Sequence, residues 1–191
     1  MLYQSIYLFI VALVLAFLEV QIEGKYGWAT KLPTWKPGNK KWYARIYQKI
    51  MSGKELTGYH LGVFGMVFLF LHYPFFSGTV WSLNQEAWVI ASFVLFSAIW
   101  DYLWIIINPY YGVWKKRPKK DVWWHKKWIG PFPDDYYFAI ILSLLVISPQ
   151  WWGEWLEAPI LRDWGIFMGV MVVGTVLTLI VTELVRGDVK R

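Results

Sequence analysis

The sequence predicts an all-α fold: a polytopic integral membrane helical bundle of about five transmembrane helices, with interfacial amphipathic helices, in a single membrane domain. Three observations predict it. Eighteen of the nineteen Lys and Arg residues fall in segments 21–56, 113–132 and 186–191. Five apolar stretches between them approach the ~20 residues that a helix needs to cross about 30 Å of hydrocarbon. Trp reaches fifteen residues, beside twelve Tyr and twelve Phe. That abundance suits the membrane–water interfaces, where amphipathic rings keep an N–H or O–H wet.

The spans fall at 2–20, 57–76, 87–107, 136–149 and 164–185. The first has no basic region before it and no small-residue cleavage site, and Glu19 and Gln21 follow its apolar run, so a retained helix is expected in place of a cleaved signal peptide. The fourth is the weakest, because Pro149 closes it early. Short basic segments resist translocation, so the loops 21–56 and 113–132 and the basic tail belong on the cytoplasmic side. Five spans then place the N-terminus outside and the C-terminus in the cytoplasm of a cell (inner) membrane. The intervening loops agree, since 77–86 carries no Lys or Arg and 148–163 only Arg162.

Within the first loop, Trp42, Ile46 and Ile50 recur at helical spacing in 41–52, which predicts an amphipathic helix lying in the interface. Residues 150–158, with Trp151, Trp152 and Trp155, are expected to do the same outside. The tryptophans in general read as interface anchors. Gly58, Gly62 and Gly65 share a face of the second span, and Gly165 and Gly169 form a GxxxG in the fifth. Small residues let helices approach closely where lipid offers no hydrophobic drive. Packing inside one bundle is the first expectation for these faces, and a homo-oligomer or a partner membrane subunit the second.

Composition excludes several classes. Apolar residues make up 57% of the chain and charged residues 17%, against roughly 25% charged in an average soluble domain. The net charge of +6 flanks apolar spans, so membrane lipids, and not nucleic acid, are the expected partners. The chain has no Cys, which removes disulfides, thiolate ligands and a Cys nucleophile. GKYGWA and GKELTG lack the spacing of a phosphate loop, no cofactor-binding residues are assigned and no GxSxG is present, while two axial ligands for a haem would have to be His60 and His125.

Ionisable side chains inside spans are costly unless paired or hydrated, so they are the functional pointers. Glu19 ends the first span, and Glu23 follows one turn later on the same face. His60 opens the second span. Asp101 is the deepest, about 10 Å inside the end of the third span at 1.5 Å per residue. It has no Lys or Arg within helical reach, so it requires a proton, water, a partner from another helix or a cation. Asn108 shares its face, and Trp104 can wall a pocket there. His125 lies in the aromatic, basic stretch WWHKKW, with Asp134 and Asp135 just beyond.

These residues predict a cytoplasmic-side polar pocket with Asp101, His60 and His125 as acid–base candidates. Glu19, Glu23, His60 and Asp101 are candidate ligands for a divalent metal such as Zn, Mn or Fe, supplied from separate helices as in carboxylate–histidine bundles. Asn108, Lys115, Lys116 and Arg117 are the expected contacts to a substrate or lipid headgroup. The reading that follows is an enzyme acting on a lipid or amphiphile. The alternative is a non-catalytic membrane scaffold or lipid-binding subunit of a larger complex, in which Glu19, Glu23 and Glu183 are interfacial and His60 is structural. A transporter fits less well, since the outer half offers no matching polar path and no inverted repeat is visible.

Overall fold

The computed structural model of the chain describes residues 1–111, 122–130, 132–148 and 159–189. Among the described residues the fold is all-α, as expected, apart from one hairpin of two two-residue strands. Its elements are α1 (Leu2–Glu23), α2 (Trp42–Ile50), α3 (Gly58–Phe76), α4 (Leu83–Ile107), β1 (Trp128–Ile129), β2 (Phe132–Pro133), α5 (Asp134–Ile147) and α6 (Pro159–Val189). Among them α1, α3, α4 and α6 are long and apolar enough to cross a membrane. At 14 residues, α5 rises only about 21 Å, short of a full hydrocarbon layer.

Local chemistry sets the helix boundaries. Thr57 caps α3 by accepting a hydrogen bond from His60 N–H, and Ser82 caps α4 by accepting from Gln85 N–H. A side-chain oxygen at this position satisfies an amide that would otherwise lack a partner. The Ser82 cap starts α4 four residues earlier than the apolar pattern suggests. The first helix continues three residues beyond 20, ending at Gly24, whose φ of 61° only glycine adopts cheaply. That extension carries Glu23 onto the same helix as Glu19.

The core is organised around α4, which packs against α1, α3, α5 and α6, while α1 also lies on α6. Its fully buried side chains include Leu95, Phe96, Leu103 and Ile106. The α1–α6 approach occurs at Gly174, where a Cβ would stand 2.6 Å from the Phe9 ring. This corrects the expectation of close packing at Gly62, Gly65, Gly165 and Gly169. A Cβ at any of those positions would meet nothing within 4 Å.

The outward faces are apolar. Phe17, Leu69, Val173, Leu177 and Val181 are among many large hydrophobic side chains left exposed on α1, α3 and α6, a surface that water would penalise and hydrocarbon would not. The amphipathic helix expected over 41–52 is α2, with Trp42, Ile46 and Ile50 all exposed along one side. The outer interfacial segment expected at 150–158 lies outside the described residues.

The tryptophans require a correction. Trp35, Trp42, Trp81 and Trp123 are exposed, but Trp28, Trp100, Trp104 and Trp124 are buried in the main core. Those four are not interface anchors. They pack where α1, α3 and α4 meet, around the polar residues described next.

Candidate functional site: a carboxylate–histidine cluster and an adjoining ion-pair chain

The C-terminal end of α1 and the first turn of α3 converge. Glu19 and Glu23 stand one turn apart on α1, and His60 Nε2 lies 3.9 Å from Glu19 Oε1 and 3.6 Å from Glu23 Oε1. One ligand atom from each of the three falls within 4.8 Å of the others, and all three residues are buried. Tetrahedral ligands at ~2.0–2.1 Å from a zinc ion stand about 3.4 Å from each other. The cluster is therefore close to the dimensions of a three-ligand divalent site.

Surrounding bonds orient each of these side chains. His60 Nδ1 is 2.9 Å from Thr57 Oγ1. In the tautomer that donates Nδ1–H to this hydroxyl, Nε2 presents a lone pair to the two glutamates, the arrangement that metal-binding histidines adopt. The ring is stacked on Trp28, with centroids 4.1 Å apart and planes 14° from parallel. Trp28 is itself held by its indole N–H, which donates to Glu55 O at 2.8 Å. Glu23 Oε1 accepts from the Ala29 N–H.

That last bond depends on an unusual turn. Gly27, Trp28 and Ala29 all have positive φ, of 59°, 48° and 50°, a conformation costing non-glycine residues of order 1 kcal/mol or more each. The turn folds the chain after α1 back over its own helix end and directs an amide at Glu23.

A second cluster adjoins the first. His125 Nε2 is 2.7 Å from Asp101 Oδ2, and Nδ1 is 3.2 Å from Asp135 Oδ2. Tyr136 O–H donates to Asp101 Oδ2 at 2.5 Å. Lys54 Nζ reaches Asp135 Oδ2 at 3.0 Å, with its side chain 7% exposed, and sits 5.0 Å from the centre of the Trp28 ring. Burial works against the His125 imidazolium, but the Asp101 and Asp135 carboxylates on its two nitrogens overcome that and raise its pKa above the usual value. A charged His125 and Lys54 thus balance Asp101 and Asp135.

Glu19 and Glu23 lack such cations among the described residues. Among the described residues neither has a Lys or Arg in ion-pair contact. A protonated His60 offsets one negative charge, whereas a divalent cation beside a neutral His60 offsets both. A buried carboxyl that is neither paired nor bound to metal takes up a proton instead.

The two clusters share a cavity of about 20 Å³, lined by Glu19, Glu23, His60, Asp101, Ser97 and the four buried tryptophans, among others. Its size suits one water-sized particle. Asp101 lines this space but lies outside the three-residue ligand group, and its Oδ2 is occupied by His125 and Tyr136.

The sequence-derived candidates divide as follows. Glu19, Glu23, His60, Asp101 and His125 come together. Asn108 is fully buried, donating from Nδ2 to Gly24 O at 2.7 Å and accepting at Oδ1 from Tyr110 N–H, so its amide ties α4 to the turn after α1. Lys115, Lys116 and Arg117 lie outside the described residues. Lys54, Thr57, Trp28 and Tyr136 belong to the site without having been singled out. Lys54 resembled its neighbouring loop lysines in the sequence, and Tyr136 one aromatic among many.

A larger apolar groove of about 820 Å³ opens between α4, α5 and α6, lined by Ile99, Tyr102, Ile140, Val172 and Ile180, among others, with Tyr136 in its wall. Another of about 940 Å³ runs between α1 and α6. Only the first touches the polar clusters, through Tyr136. No family model matches the chain, and no curated protein or solved structure is significantly similar to it.

Proposed function

We propose that this is an integral membrane protein with five spans, its N-terminus outside and its C-terminus in the cytoplasm, that works as a metal-dependent enzyme on a lipid or amphiphile. The observation carrying this reading is the convergence of Glu19, Glu23 and His60, two carboxyl groups with no Lys or Arg partner among the described residues, beside the His125–Asp101 pair. A divalent ion bound there supplies Lewis acidity and a water of lowered pKa. His125, held between Asp101 and Asp135, is the proton donor. The α4–α5–α6 groove offers hydrocarbon chains a place against Tyr136, whose hydroxyl reaches Asp101. Basic loops on the same side favour an anionic headgroup. The short α5 is counted as the fourth span because it separates the basic loop 113–132 from the basic tail.

Elemental analysis of the detergent-purified protein tests the metal. Near-stoichiometric Zn, Mn or Fe is expected in the wild type and in Asp101→Asn, with loss in Glu19→Gln, Glu23→Gln and His60→Asn. Absence of metal from the wild type, even after reconstitution with each ion, overturns the proposal. Mass spectrometry of co-purified lipid tests the substrate class, and Ala98→Trp, which fills the groove, is expected to abolish it.

A second reading has its own support. The Lys54–Asp135–His125–Asp101 chain links α4 and α5 to two loops with each member partnered, as a purely structural network would. On that reading the protein is a scaffold or lipid-binding subunit. Asp101→Asn and His125→Asn then lower thermal stability and leave metal and lipid content unchanged.

A further inference from the structure

Three of the tryptophans lining the small cavity share a defect. The indole N–H groups of Trp100, Trp104 and Trp124 are buried and have no hydrogen-bond partner among the described residues, and each residue is only 2% exposed. An indole N–H is a donor with no acceptor capacity, and a buried donor without an acceptor is unfavourable. All three surround the space beside Glu19, Glu23 and His60.

An indole N–H turned toward that space would disfavour a second cation and favour an atom with lone pairs. The volume of about 20 Å³ admits one water-sized particle, too little for a phosphate or carboxylate group. Three protein ligands with one position left open is also the pattern of catalytic, as opposed to structural, zinc sites.

We infer that the indoles of Trp100, Trp104 and Trp124 form a subsite for a single solvent-derived oxygen, water or hydroxide, on a cation held by Glu19, Glu23 and His60. The inference rests on the metal reading above and adds to it the identity of the remaining ligand. In it the indoles are positioning residues: they donate to the oxygen, favour its anionic form and hold it on the side of the cavity that Asp101 also lines. The buried aromatic cluster is then part of the site.

The test uses full-length protein in detergent loaded with Co(II), whose visible spectrum reports its ligands. Fluoride, a one-atom anion, stands in for hydroxide, and inorganic phosphate serves as the size control. Fluoride is expected to shift the spectrum of the wild type. Trp100→Phe, Trp104→Phe and Trp124→Phe are each expected to weaken fluoride binding about tenfold while Co(II) affinity stays within about twofold. Where a Phe variant fails to fold, benzothienylalanine at the same position replaces the N–H with sulfur and keeps the ring shape. Unchanged fluoride affinity in Co(II)-loaded variants overturns the subsite but leaves the metal reading standing. Failure of the wild type to bind Co(II) overturns both. Phosphate that competes with fluoride overturns the single-oxygen limit and points to a headgroup oxygen.

Discussion

His125 Nε2 lies 2.7 Å from Asp101 Oδ2, joining the loop after α4 to a carboxylate deep within that helix. Asp135 closes on the opposite ring nitrogen at 3.2 Å. One histidine thereby resolves the problem that Asp101 poses in the sequence, a carboxylate in an apolar helix with no cation in reach along its own helix.

This pairing predicts a pH dependence. The groups facing His125 are Asp101 from α4, Asp135 and Tyr136 from α5, and Lys54, which reaches Asp135 from the loop before α3. Its folded pKa is raised, so the stability it contributes is fully present below about pH 6.5, the unfolded value, and is lost as pH rises through the folded one. Thermal melts in detergent from about pH 6 to about pH 9 are expected to show a falling midpoint that His125→Asn flattens. A midpoint that rises with pH in the wild type would contradict the pairing.

Lys54 and Asp135 form the outer end of the same chain, at 3.0 Å, with the lysine far more buried than the aspartate. Removing one partner of such a pair leaves the other charge poorly solvated. Lys54→Met is expected to cost roughly 1–3 kcal/mol, reduced from a fully buried pair by the partial exposure of Asp135. A double-mutant cycle with Asp135→Asn should return a coupling of about 0.5 kcal/mol or more, and additivity of the two changes would dismiss the interaction.

Two glycines should respond oppositely to alanine. Gly27 has φ of +59°, and a Cβ there would stand 2.4 Å from the Trp124 ring. Gly27→Ala is expected to destabilise by about 2 kcal/mol or more. Gly169→Ala meets nothing within 4 Å and should leave monomer stability unchanged or improve it slightly. If light scattering shows that Gly169→Ala dissociates an oligomer, that face is where copies of the chain meet.

Arg186 donates to Ile106 O, Asn108 O and Tyr111 O, covering a last-turn carbonyl of α4 that has no helical partner and two carbonyls of the turn that follows. Arg186→Lys keeps the charge and loses the planar fork, so topology should persist while stability falls by about 1–2 kcal/mol. An unchanged melting midpoint would show that the charge alone matters.

The orientation can be read directly, because the chain has no cysteine. A membrane-impermeant thiol reagent should label Thr79→Cys in intact cells and Lys40→Cys only after permeabilisation. The reverse pattern would invert the topology.

Helix existence was legible because an apolar run of sufficient length has one economical solution in hydrocarbon, where each backbone amide must be bonded within its own segment. The i, i+4 spacing likewise placed Glu19 and Glu23 on one face before any contact was known. Boundaries were less legible: the Ser82 cap and the three extra residues of α1 depend on side-chain oxygens and a left-handed glycine, not on hydropathy. The glycine faces misled because helix–helix approach depends on which faces meet, and that occurred at Gly174.

Legible from the residues alone were the all-α class, four of the five expected spans as long apolar helices, the exposed stripe of α2 and the short set of ionisable residues inside apolar segments. Each follows from local pattern, periodicity or the cost of burying charge. Packing in three dimensions was needed to bring His60 to Glu19 and Glu23, to satisfy Asp101 with His125 and Tyr136, to bury Lys54, and to place four tryptophans in the core. Those relationships join segments tens of residues apart, and side-chain identity carries no record of which distant neighbour packing will supply.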